Sequence, residues 1–274
     1  MRMELDPAAV ATAAAATGAG VVFAKEGARV SADLVGRALG PAADELGEVL
    51  KGLTPWRKRN VERIAEKTQR KAGPDSGPAD ARTARRILDE GSYSDDEIMA
   101  EYLSGVLAVT KRDLHGDLGV PWAALIANLS SIQIRLHYLL YRQWAVLLEG
   151  AADLKLSNFS TMPRVQIQVG AVELLSGLAL EGRSDALAVF EHAMFGLRRM
   201  GLIADEFHGG SGPDGGPAMT MGMTVDGLEL YSWAIGRGAI QPNDFLSFGA
   251  VEGDYDDLPL LTTAVLPYYT PTGQ

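Results

Sequence analysis

Arg164-Val165-Gln166-Ile167-Gln168-Val169 alternates polar and aliphatic residues without a break. Strict alternation sends every second side chain to one face, the pattern of a half-buried strand. The sequence on either side is helical. Ser130 is placed to cap a helix from Ile132 to about Leu148, with Ile132, Leu136, Leu139, Leu140 and Trp144 available to a core. Downstream, Val172 to Leu180 reads as a short helix and Ser184 to Met200 as a longer one closed by Gly201. Leu202-Ile203-Ala204 reads as a second strand, and Gly209 to Gly216, dense in glycine, as a hairpin tip. Met219, Met221 and Met223 alternate with Thr220 and Gly222 on a return strand, and Thr224 caps a last helix through Ile235. Helix, strand, helices, strand, glycine-rich turn, strand and helix is the order of a winged-helix unit.

The chain upstream of that unit has helical periodicity only. Val30, Leu34, Val35 and Leu39 share a side of a short helix over Arg29–Leu39, and Gly40-Pro41 ends it. Leu46, Val49, Leu50 and Leu53 continue at helical spacing until Pro55, which lacks the N–H a helix interior needs. From Pro55 a helix runs to Lys71 with a polar, basic outer face, followed by the loop Gly73-Pro74-Asp75-Ser76-Gly77-Pro78. Further helices are expected over Ala79–Glu90, after Ser94, and from Pro121 through Ala127. Ser94-Asp95-Asp96-Glu97 has the spacing of a capping box, with Glu97 reaching back to the Ser94 amide. The expected fold is therefore mainly α: a helical bundle, then a winged-helix-like α/β domain with a small antiparallel sheet. The division is 1–39, an Ala-rich N-terminal helical segment; 40–120, a helical domain with the basic helix; 121–238, the winged-helix-like domain; and 239–274, an acidic C-terminal tail.

Composition excludes several chemistries. The 274 residues include no cysteine, so disulfides, thiolate nucleophiles and zinc–cysteine sites are out, and a reducing cytoplasm fits. Gly209–Gly216 is followed by Pro217, not by the Gly-Lys-Ser/Thr of a phosphate loop, and Ser211 misses the nucleophile-elbow pattern. His115, His137, His192 and His208 lack metal-ligand spacing, and His137 reads as a half-buried helix residue. Asp95, Asp96 and Glu97 are explained by capping. No catalytic residue, cofactor or metal site is expected. The uncharged stretch Pro7–Ala24 is mostly Ala, Thr and Gly, good for a packing helix and weak as a membrane span; membrane contact through it is the lesser alternative.

The net charge of −10 is unevenly spread. Lys51, Arg57, Lys58, Arg59, Arg63, Lys67, Arg70 and Lys71 crowd one segment, whereas Gln241–Gln274 has no Lys or Arg but carries Asp244, Glu252, Asp254, Asp256 and Asp257. The two segments are solvated faces, or pair with each other, or leave the basic face free for a phosphate-bearing partner. The eight basic residues are the candidate site for an anionic partner, nucleic acid included. The recognition-like helix Ser184–Met200 has cations only at Arg198 and Arg199, and the wing has none, which suits protein binding better than DNA binding.

Four segments together resemble the abortive-infection alpha family of bacterial phage-defence proteins. They are Gly40-Pro41-Ala42-Ala43 with Leu46-Gly47 and Leu50; Arg57–Lys67 with Arg59-Asn60, Arg63-Ile64 and Glu66-Lys67; Tyr93–Glu97 with Tyr102–Ala108; and Leu129-Ser130-Ser131-Ile132 with Met200-Gly201-Leu202-Ile203. The match spans about residues 30–235; Tyr102-Leu103-Ser104-Gly105 departs from it where the family more often carries a tryptophan. The resemblance implies anti-phage defence in which an infected cell stops growing or dies, and it implies no chemistry. The expected function is a cytoplasmic abortive-infection protein acting by binding to a phage or host protein or to itself. The alternative is a winged-helix DNA-binding regulator.

Overall fold

The computed structural model describes Gly36 and residues 52–112, 116–158, 161–250, 258 and 260–268. The N-terminal segment, apart from Gly36, and the acids Glu252, Asp254, Asp256 and Asp257 lie outside the described residues, as do Lys51 and His115.

The helices begin where their caps dictate. Helix α1 (Pro55–Ala72) has Pro55 at its first turn and stops at Gly73, whose φ of 84° only glycine adopts freely. Helix α2 (Ala81–Gly91) starts at Asp80, whose carboxylate accepts the Thr83 N–H. Helix α3 (Glu97–Thr110) is capped by Asp96, which accepts from Ile98 N–H. The capping box expected at Ser94 does not form: Asp96 takes the cap position and Glu97 turns to cations on α1. Helix α4 (Gly119–Ala127) follows. Helix α5 (Ser131–Leu147) opens on the full Ser130–Gln133 capping box.

Beyond α5 come strand β1 (Gln166–Gly170), helix α6 (Ala171–Gly177), helix α7 (Ala186–Arg199), strands β2 (Phe207–Ser211) and β3 (Pro217–Gly222), and helix α8 (Val225–Ala234) capped by Thr224. The sheet is antiparallel in the order β1-β3-β2, with Ile167 and Phe207 both opposite Met221. Its buried face carries Ile167, Val169 and Met221. Leu202-Ile203-Ala204 is not a strand. Leu202 and Ile203 are buried, and only the Ala204 N–H reaches the sheet, on Gly222 O. The second strand starts later, at Phe207, and its residues Gly209, Gly210 and Ser211 come from the stretch expected to be the hairpin tip.

Helix α3 lies at the centre, with every residue from Ile98 to Thr110 buried. It packs on α1, α2, α4, α5 and α8. Gly105 permits a close crossing: a Cβ there would fall on the Ala234 carbonyl of α8. One hydrophobic core therefore runs from Val61 to Ala264 and includes Phe245, Phe248, Leu258 and Leu261 of the segment expected to be a tail. Among the described residues no helix is long and apolar enough to cross a membrane.

Candidate functional site

The basic helix folds as α1, and its cations divide into two sets. Arg63, Lys67 and Lys71 recur every four residues and so line one face. That face meets Glu97 and Glu101, also four apart, on α3. Arg63 Nε lies 2.7 Å from Glu97, and Lys67 Nζ lies 3.4 Å from Glu97 and 3.3 Å from Glu101. Lys71 pairs with Glu101 and also donates to Ser104 Oγ at 3.2 Å and to Ala234 O at 2.9 Å. Glu101 is 1% exposed, and the Lys67 and Lys71 side chains 6% and 9%. Charges this deep hold their ionised form only against partners. The counter-charge of the basic helix is thus on α3. Lys67 braces α1 against α3, and Lys71 braces both against α8; neither belongs to a solvated outer face.

The remaining cations face outward. Lys58 approaches Glu62 at 3.9 Å, and Arg70 pairs with Glu66 at 3.0 Å. Arg59 is exposed with no ion pair among the described residues. Arg57 donates to Ser92 Oγ at 2.8 Å and lies 3.9 Å over the Tyr93 ring, which meets Trp56 edge-on. Trp56 and Tyr93 are exposed aromatics that sequence reasoning did not single out; thirty-seven positions separate them in the chain, and periodicity carries no signal for that contact. Of the eight candidate residues, the structure thus leaves Arg57, Lys58, Arg59 and Arg70 at the surface.

His137 is fully buried, not half-buried. Its Nε2 faces Gly227 O at 3.0 Å and must carry the proton, so Nδ1 accepts from the Tyr102 hydroxyl at 2.6 Å. Burial pulls its pKa down to about 3, which keeps the ring neutral. With both nitrogens engaged and stacked on Tyr141, it is a structural pin tying α3, α5 and α8 together. Among the described residues no group of three potential ligands is placed to hold a metal ion.

Helix α7 presents a different surface. Phe190, Ala193, Met194 and Leu197 face the core, while Leu187 (64% exposed) and Phe195 (49%) face outward. Arg198 is engaged by Asp205 at 3.2 Å. The outward face is mixed: Leu187, Ala188 and Phe195 are interspersed with Glu191 and His192, and its cations, Arg198 and Arg199, are confined to the last turn. No protein family, curated protein or solved structure gives a significant match to this chain.

Proposed function

We propose that the chain is a cytoplasmic abortive-infection protein that acts by binding another protein, and that binding arrests or kills the infected cell. The resemblance carried by the four sequence segments supplies the defence role. Within it, residues 121–238 act as a winged-helix-like unit, a reading supported by the element order and by the strand order β1-β3-β2. The observation that carries the binding role is the outward face of α7, the recognition-like helix. Two large apolar side chains, Leu187 and Phe195, are exposed there, the latter resting edge-on against Phe207, and exposed apolar groups on one helix face suit a protein partner.

The DNA-binding alternative draws on the same element order, but its helix is poorly equipped. Phosphate contacts need cations, and α7 offers only Arg198, which also faces Asp205, and Arg199, both in its last turn. The test is a phage challenge at low and high multiplicity with the gene intact, deleted, or carrying Leu187→Glu and Phe195→Glu. Defence predicts that the intact gene saves the culture at low multiplicity and collapses it at high multiplicity before phage release. Deletion without effect at either multiplicity overturns the defence reading. Full protection by the double variant, at normal protein level, overturns the assignment to α7. Duplex binding that is tight, sequence-specific and lost in Arg198→Ala with Arg199→Ala would favour the regulator.

A further inference from the structure

The outer edge of β1 is closed by the chain's own C-terminal segment. Leu258 and Leu261 are each 2% exposed, and Ala264 is 8%. Arg142 on α5 donates to Leu258 O at 2.6 Å, and its neighbour Gln143 accepts the Leu261 N–H at 2.9 Å. Leu261 to Ala264 form a turn closed by the Ala264 N–H on Leu261 O. Inside it, the N–H and hydroxyl of Thr262 donate to one oxygen of Glu173, and those of Thr263 to the other. Thr263 Oγ1 also accepts the Gly170 N–H at 2.8 Å. Val265 then exchanges both backbone hydrogen bonds with Gln168, antiparallel and at 2.9 Å each.

These are the parts of a peptide groove: buried sockets for two leucines, side chains that read main-chain groups, and a strand edge open to pairing. The reading groups sit on α5, β1 and α6, and the groups they read fall between Leu258 and Val265. Recognition is complete within that short segment. None of it depends on the segment arriving from the same chain.

We propose that this groove also accepts the C-terminal segment of a second copy of the chain, in exchange for its own. A second copy is the partner certain to carry Leu258-Pro259-Leu260-Leu261-Thr262-Thr263-Ala264-Val265. Exchange of an identical element between protomers creates no new type of contact, so its cost is low. Tethering gives the resident segment an effective concentration on the order of millimolar. The internal contact therefore prevails in dilute protein, and exchange follows crowding of copies or opening of the clasp at Glu173. The groove lies apart from the α7 face, and the proposal does not rest on the defence role.

Two full-length variants test it. One spoils the groove (Glu173→Ala, Gln143→Ala), and the other spoils the segment (Thr262→Val, Thr263→Val, Val265→Pro). Far-UV and near-UV spectra check that both fold. Each alone is expected to be monomeric, with the Gln168 amide exchanging at least about tenfold faster than in the unmodified chain. Mixing them is expected to give a 1:1 heterodimer in which the segment-spoiled chain regains slow exchange at Gln168. A synthetic peptide of residues 258–268 is expected to protect Gln168 in the segment-spoiled chain and not in the groove-spoiled one. That arm decides the matter alone if the groove-spoiled chain does not fold. The proposal is overturned if Gln168 stays fully protected in the segment-spoiled chain. It is equally overturned if exchange there is fast and the folded groove-spoiled chain does not slow it, or, where that chain does not fold, if the peptide does not.

Discussion

Replacing Glu101 by Gln removes one charge from a site that holds three. The carboxylate is 1% exposed and stands between Lys67 Nζ, at 3.3 Å, and Lys71 Nζ. Taking away one partner of a buried pair costs about 3–5 kcal/mol, because the other charge stays behind without compensation. Here two ammonium groups stay behind, but neither is abandoned. Lys67 keeps Glu97 at 3.4 Å, and Lys71 keeps Ser104 Oγ and the Ala234 carbonyl. The expected loss is therefore at the lower end, about 3 kcal/mol, out of a typical domain stability of about 5–15 kcal/mol. The control is Glu66→Gln. Its partner Arg70 is 48% exposed and Glu66 itself 61%, so that pair is worth about 0–0.5 kcal/mol. Urea unfolding followed by circular dichroism, fitted with a common slope, reads both variants. If Glu101→Gln costs under about 1 kcal/mol, or no more than Glu66→Gln, the lysines are not held by Glu101 and the account of α1 as a brace fails.

Four further outcomes follow from the packing and hydrogen bonding. Gly105→Ala drives a methyl group into the Ala234 carbonyl and is expected to cost about 3 kcal/mol or more, where an exposed helical Gly→Ala would gain about 1; an unchanged Tm would refute the close crossing. His137 has a folded pKa of about 3, below the usual His value, so the unfolded chain takes up the proton first. Its stabilisation is whole above about pH 6.5 and drains away as pH falls towards 3, so the urea midpoint should drop less between pH 7 and pH 4.5 in His137→Gln than in the unmodified chain. Burial pushes the Glu173 carboxyl up, but donors from Thr263 and Thr262 outweigh it and leave the group below its usual range. It therefore loses stabilisation in the same acidic direction, and Glu173→Gln should flatten the remaining slope below about pH 4.5. Ser130→Ala dissolves the capping box of α5 and should cost about 1 kcal/mol by thermal or urea unfolding, with Ser130→Asp close to neutral.

The parts of the fold that announced themselves are those fixed by local rules. Ser130 with Gln133 three residues on, Thr224 ahead of α8, Pro55 at the start of α1 and the alternation through Val169 each depend on neighbours in sequence. Ser94 misled because Ser94, Asp95 and Asp96 compete for one cap, and the outcome turns on where Glu97 is needed. Glu97 is needed by Arg63 and Lys67 of α1, which stand thirty or more residues before it. The four-residue spacing of Arg63, Lys67 and Lys71 and of Glu97 and Glu101 was a readable sign of two faces that mate, but charge counted by segment hid it. The same count made the C-terminal region look solvated. Its buried residues fall as two separate pairs three apart, Phe245 with Phe248 and Leu258 with Leu261, runs too short to register as a sustained period. Leu202 and Ile203 carry β propensity, yet they are buried in a turn beneath the sheet.

Helix α3 has a consequence for the birth of the protein on the ribosome. Its residues from Ile98 to Thr110 are all destined for burial, and one of the walls that will cover them, α8, begins at Val225. At about 5–20 residues per second, the chain spends roughly 6–23 seconds with α3 synthesised and that wall still unmade. Helices α1 and α2 precede α3 in the chain and are made before it. The flank meant for Trp233 and Ala234 has no native cover, so the nascent chain offers a greasy helix to whatever holds on to such surfaces in the cell. A premature stop anywhere between α3 and α8 would make that exposure permanent.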